Sequence, residues 1–255
     1  MKSKLFPICA AVAFMAPAFL SCNNGQVNNS DKNTNDTAQT ITIPRPPRER
    51  VLTAAEQAAL TPDEVIKSLK EGNERFVSSD ITARDHSAMV RNAAAGQFPK
   101  AVILSCIDSR IPVEDVFDKG IGDMFVGRVA GNFVNTDLLG GMEFGCKVMG
   151  AKLILVLGHE SCGAIKAAID DVKLGNITAM LANIRPAVVA SQDFAGDKTS
   201  KNDEFVHYVL KNNVINAIKT IKEKSPILKE MADSGAIKIV GAYYNIKTGA
   251  VTFLD

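Results

Sequence analysis

The sequence has no tryptophan, three tyrosines and three histidines, and aromatic residues make up only 6% of its 255 positions. Charge of one sign is also lacking. A formal net charge of +1 gives no field that would gather nucleic acid or hold the chain to an anionic membrane surface. There are five cysteines, Cys9, Cys22, Cys106, Cys146 and Cys162. Their spacing makes no disulfide framework, and a chain of this length does not need one. No internal repeat is present. What remains is 46% hydrophobic and 22% charged residues, an ordinary globular composition with enough chain for one large domain or two small ones.

The first 22 residues, "MKSKLFPICAAVAFMAPAFLSC", place Lys2 and Lys4 before an apolar stretch from Leu5 to Leu20 and end in Ser21-Cys22. This is the layout of a secretory signal peptide, too short for a membrane span and interrupted by Pro7 and Pro17. "FLSC" resembles a bacterial lipobox with Phe19 where Leu is usual, which implies a lipid on Cys22 and an exported protein held at a membrane. The alternative is an ordinary cleaved signal with an incidental cysteine. Residues 23–50 are rich in Asn, Thr, Asp and Pro, lack apolar periodicity, and read as a disordered polar tether. The folded part is expected over 51–255 as a single domain.

Within it, Thr61-Pro62-Asp63-Glu64 opens a helix, with a cap, an early Pro and acids near the positive end. Residues 101–106 and 151–159 read as buried strands and 123–129 as another. The glycine-rich 138–150 reads as a helix on which something packs closely, and 163–171, 176–190 and 202–224 read as further helices. A last strand, "AIKIVGAYYN", precedes a hairpin turn at Lys247-Thr248-Gly249. Apolar strands alternating with helices predict an α/β fold with a central, mainly parallel sheet flanked by helices, in which a site lies beyond the strands' carboxyl ends.

Two of these strands end in metal-type ligands. Cys106 closes "AVILSC"; His159 closes "LILVLGH", with Cys162 three positions on. Two thiolates and an imidazole suit tetrahedral zinc with one position left for water, and soft sulfur disfavours magnesium or calcium. The helix beginning "CGAI" would lend its first amides to a thiolate. Alone, each feature is weak: a lone cysteine is commonly a small core residue, and Cys106 and Cys162 could instead form a disulfide. Asp108 and Arg110 beside Cys106 give the combination its weight.

"CIDSR" at 106–110 with "HESC" at 159–162 resembles the paired signature of the β-class carbonic anhydrases, and "GDMFVGRVAGNFV" is similar to the family's intervening segment. The resemblance runs from about residue 60 to the end. It implies a zinc enzyme that interconverts carbon dioxide and bicarbonate through a hydroxide held by Cys106, His159 and Cys162. Asp108 would accept a hydrogen bond from that hydroxide, and Arg110 would keep Asp108 ionised. It also implies substrate contacts from Gln97, Phe125, Phe144 and the Gly163 amide, and a homodimer or higher homo-oligomer with active sites at the subunit interface. Some family members close the site with the Asp and carry an extra bicarbonate pocket around a Trp; with no Trp here, the open form is expected. Zinc hydrolases of carbonyl sulfide or carbon disulfide share these ligands, and a non-catalytic zinc-binding lipoprotein is a third reading. His86 and His207 are candidate proton carriers that the sequence places nowhere near the metal.

Overall fold

A computed structural model describes residues 47–254; the signal segment, Cys22 and most of the tether lie outside the described residues. The chain begins with helices α1 (Ala54–Ala59), α2 (Pro62–Val77) and α3 (His86–Ala93). Next come strand β1 (Ala101–Ser105), a short α4 (Val113–Val116), β2 (Met124–Arg128) and α5 (Thr136–Glu143), which runs on into a π-helical turn, Phe144–Val148. β3 (Leu153–His159) leads to α6 (Gly163–Ile169), α7 (Gly175–Ala182), α8 (Arg185–Ala190), α9 (Asp203–Lys224) and α10 (Pro226–Asp233). β4 (Lys238–Tyr244) and β5 (Val251–Phe253) close the fold.

The sheet order is β2-β1-β3-β4-β5, parallel except for the β4–β5 hairpin. Every residue of β1 and β3 is buried, which is why these strands read as unbroken apolar runs rather than alternating ones. β2 is half-buried because it is an edge. The expected α/β architecture is present, and β1 and β3 are direct neighbours, with Ser105 opposite Leu157. Their carboxyl ends therefore open side by side.

Local chemistry fixes the flanking elements. Thr61 caps α2 in a reciprocal box with Glu64, and Val65 and Leu69 are fully buried. The glycine-rich helix does have a close neighbour: a Cβ on Gly145 would lie 2.5 Å from Val102 Cγ2 on β1, so only glycine lets the π turn lie on the sheet. Two expectations need correction. The helix expected over 176–190 is two helices. Asn183 turns its side-chain amide back onto the Ala179 and Met180 carbonyls, and Pro186, which has no N–H to continue α7, sits in the first turn of α8. The tether expected to reach residue 50 ends sooner. Arg48 exchanges backbone bonds with Ala83 and Asp85 (2.8 and 3.1 Å), and its guanidinium lies 3.6 Å from Asp123.

That arm adjoins a buried polar knot. Asp118, at φ 47°, accepts bonds from Arg75 Nε (2.5 Å), the Thr82 amide and hydroxyl (3.0 and 2.7 Å) and Arg84 Nη2 (2.6 Å). Burial alone would raise its pKa, but the bonds from Arg75, Thr82 and Arg84 outweigh it and hold the carboxyl at about 2. Asp118→Ala leaves the buried Arg84 without its counter-charge and should cost ~3–5 kcal/mol of stability in urea unfolding. The folded pKa lies below the ordinary 3.8. The wild-type contribution is therefore whole above that value and lost as pH falls towards 2. The gap between the Asp118→Ala and wild-type curves should narrow over that acid window.

Candidate metal centre

Cys106 follows β1 directly, His159 is the last residue of β3, and Cys162 caps α6 after a turn in which Ser161 takes φ 53°. The ligand atoms of these three side chains lie within 4.8 Å of one another, and all three residues are buried. Zinc–sulfur bonds of about 2.3 Å and zinc–nitrogen bonds of about 2.0–2.1 Å set tetrahedral ligand atoms roughly 3.6–3.8 Å apart, within reach of this arrangement.

The imidazole is aimed by its neighbours. His159 Nδ1 lies 2.9 Å from the Glu160 carbonyl, whose residue is itself pinned by a 3.0 Å bond from the Glu160 amide to the Tyr244 carbonyl on β4. This leaves Nε2 buried with no protein partner. An orphaned imidazole nitrogen facing two sulfurs is the donor set a metal completes.

The sulfurs are free thiols, not a disulfide, so the crosslink left open by the sequence is not formed. The Cys162 S–H beside it, with the amides of Gly131 and Asp108, pulls Cys106 below the ordinary thiol range against its burial. Cys162 is pushed up by the same partnership and by burial, while the Ala164 and Ile165 amides at the start of α6 pull the other way, as expected of a helix N-terminus.

Beside this trio, Arg110 grips Asp108 in a fork, Nε to Oδ1 at 2.9 Å and Nη2 to Oδ2 at 2.7 Å, with its backbone amide also on Oδ1 at 3.0 Å. The Arg110 bonds hold the carboxyl well below the usual carboxylate range despite partial burial. Asp108 Oδ2 lies 3.9 Å from His159 Nε2, so an ionised carboxylate faces the space between the ligands. Two supports were not foreseen. Arg128, at the end of β2, donates Nε to the Cys106 carbonyl (2.8 Å) and Nη2 to the Asp108 carbonyl (2.6 Å). The Gly131 amide lies 3.3 Å from the Cys106 sulfur. Both residues belong to "GRVAGN", a stretch noticed in the sequence but given no role.

Of the other expected site residues, Gly163 adjoins the trio, and Gln97, Phe125 and Phe144 do not within one chain. Gln97 is exposed, ahead of the amino end of β1, while Cys106 follows its carboxyl end; the strand alone spans roughly 17 Å. Phe125 pairs in register with Val102 and stacks at a tilt on Phe144, ring centroids 6.2 Å apart. Both line an apolar groove of about 240 Å³ over β1 and β2, with Leu138 and Met142, rather than the trio. Gly163 starts α6 next to Cys162 with open space at its Cα. His86 is exposed at the start of α3. His207 is closer than its sequence position suggested. It sits edge-on to Tyr243, 4.0 Å from the Glu160 carboxylate, in a cleft of about 610 Å³ beside Glu160 and Ser161.

A family model described as carbonic anhydrase matches residues 101–251. Carbonic anhydrase 2 of Mycobacterium tuberculosis is 36% identical over 198 residues, covering 74% of this chain and 91% of the relative. A carbonic anhydrase of Mycolicibacterium smegmatis is 33% identical over 192 residues, covering 72% and 89%. Among solved structures, a tetrameric β-carbonic anhydrase of Sordaria macrospora superposes with a TM-score of 0.59 at 20% identity, covering 75% of this chain and 95% of that one. The Coccomyxa β-carbonic anhydrase in complex with acetazolamide superposes with a TM-score of 0.58 at 24% identity, covering 75% and 85%.

Proposed function

We infer the chemistry from the family: this chain belongs to the β-class carbonic anhydrases, and it is a zinc-dependent enzyme that interconverts carbon dioxide and bicarbonate. The observation that carries the residue assignment is the convergence of two sulfurs and an orphaned His159 Nε2 next to an ionised carboxylate clamped by arginine. Cys106, His159 and Cys162 hold the zinc. When bound, zinc supplies the Lewis acidity that makes a water nucleophilic near neutral pH.

The rest is the work of the chain's own side chains. Asp108 Oδ2 accepts a hydrogen bond from the attacking water, and this aims an oxygen lone pair at the carbon of carbon dioxide. Arg110 keeps Asp108 anionic and in one rotamer, so that both of its oxygens are occupied by the guanidinium rather than by the metal. This favours the open form of the site. The reaction adds water across one C=O bond and yields bicarbonate and a proton.

Gln97, Phe125 and Phe144 lie too far along the sheet to serve the trio of their own chain, which supports an assembly in which a second copy presents them. The enzyme is a homodimer or a higher homo-oligomer with the site at the subunit interface. The N-terminal signal motif supports export, with a lipid on Cys22 holding the enzyme at a bacterial membrane.

Two thiolates cancel the charge of the cation, so zinc acidifies water less here than among three imidazoles. Stopped-flow assays on the zinc-loaded protein should show carbon dioxide hydration that rises towards alkaline pH. Turnover of carbonyl sulfide with none of carbon dioxide would reassign the enzyme to the related hydrolases.

A further inference from the structure

We propose that Asn213 is a positioning residue for the metal centre, acting through Gly131 to hold a backbone amide against the Cys106 sulfur. The inference rests on the reading of Cys106 as a zinc ligand.

Asn213 sits where an apolar residue belongs. The buried stripe of α9 runs through Val206, Val209, Leu210, Val214, Ala217 and Ile221, and Asn213 lies within it, 1% exposed. A buried amide costs roughly 1–3 kcal/mol wherever it lacks a partner. Asn213 Oδ1 has none within the protein. Its Nδ2 makes one bond, 2.8 Å to the Gly131 carbonyl.

Gly131 is the residue whose own amide lies 3.3 Å from Cys106 Sγ. It takes φ +82°, and a Cβ there would meet Ile184 Cδ1 at 2.4 Å, so the loop is wedged as tightly as backbone allows. The next residue, Asn132, is also left-handed at φ 40° and fully buried, with both side-chain polar atoms unpartnered. A left-handed residue other than glycine, such as Asn132, persists only where its surroundings dictate it. Asn213 is the polar group that reaches in from α9 to do so. Pinning the Gly131 carbonyl fixes the peptide plane that follows its Cα, and this restrains the preceding plane, whose amide lies on the sulfur. An N–H donor draws electron density from a thiolate and fixes where its lone pairs point.

The test uses the full-length protein loaded with cobalt(II) or zinc, with Asn213→Leu, which keeps the volume, and Asn213→Ala, which relieves any crowding. Ile221→Ala is the control. It opens a cavity in the same buried stripe of α9, about 12 Å further along the helix than Asn213, and lowers stability. Both Asn213 variants should shift the sulfur-to-cobalt charge-transfer band to lower energy and weaken zinc binding ~10-fold, while Ile221→Ala moves neither. Folded Asn213 variants with the wild-type band and zinc affinity would overturn the proposal, as would shifts that Ile221→Ala reproduces. Failure of the underlying reading is visible separately: wild-type cobalt protein would then show no sulfur charge-transfer band.

Discussion

Carbon dioxide hydration and zinc content fall together when His159 is replaced by Ala, or when Cys106 or Cys162 is replaced by Ser. The three residues are buried, and the one further ligand within reach, Asp108, is held at both oxygens by Arg110, so two ligands gain no ready third. Without the metal, water at neutral pH returns to its bulk acidity, and the supply of nucleophile drops by many orders of magnitude. The hydration rate should fall more than about a thousandfold, with less than one zinc per chain by elemental analysis. Cys146 is the matched control. It too is a buried thiol, but burial pushes it up to about 12 and it lies in the π turn, away from the trio. Cys146→Ser should keep both metal and rate; equal losses in all four variants would mean that buried thiols here serve folding alone.

Asp108→Asn gives the opposite dissociation, with zinc retained and turnover lost. Asparagine keeps the shape of the side chain but cannot carry the charge that Arg110 grips at both oxygens, and its amide nitrogen offers a donor where the attacking water needs an acceptor. Loss of one such oriented contact should lower kcat ~10²–10³-fold. Arg110→Lys, which replaces a planar fork with a point charge, should lose less, about tenfold. Stopped-flow kinetics on samples of known zinc content read both. Full activity in Asp108→Asn would leave the carboxylate a merely structural ion pair.

The parts legible in the sequence were those whose signal is local. β1 and β3 are buried on both faces and so appear as continuous apolar runs, and the soft ligands at their ends form a pattern that few chemistries share. The break between α7 and α8 was harder to see, because Ala and Val on either side continue a helical pattern that only Asn183 and Pro186 interrupt. The supports of the site were least visible. The Gly131 amide reaches Cys106 across 25 positions of sequence, and a backbone donor leaves no side-chain signature. Asn213 carried only a faint signal, a polar residue at an apolar position of a helix. Gln97, Phe125 and Phe144 came from family resemblance alone, which names residues without saying which copy of the chain delivers them.

X-ray absorption at the zinc edge, on wild-type protein carrying one zinc per chain, tests the metal centre most directly. Cys106, His159 and Cys162 with one open position predict two sulfur neighbours at about 2.3 Å and two lighter ones at about 2.0–2.1 Å. A shell without sulfur, or with four sulfurs, would contradict the assignment.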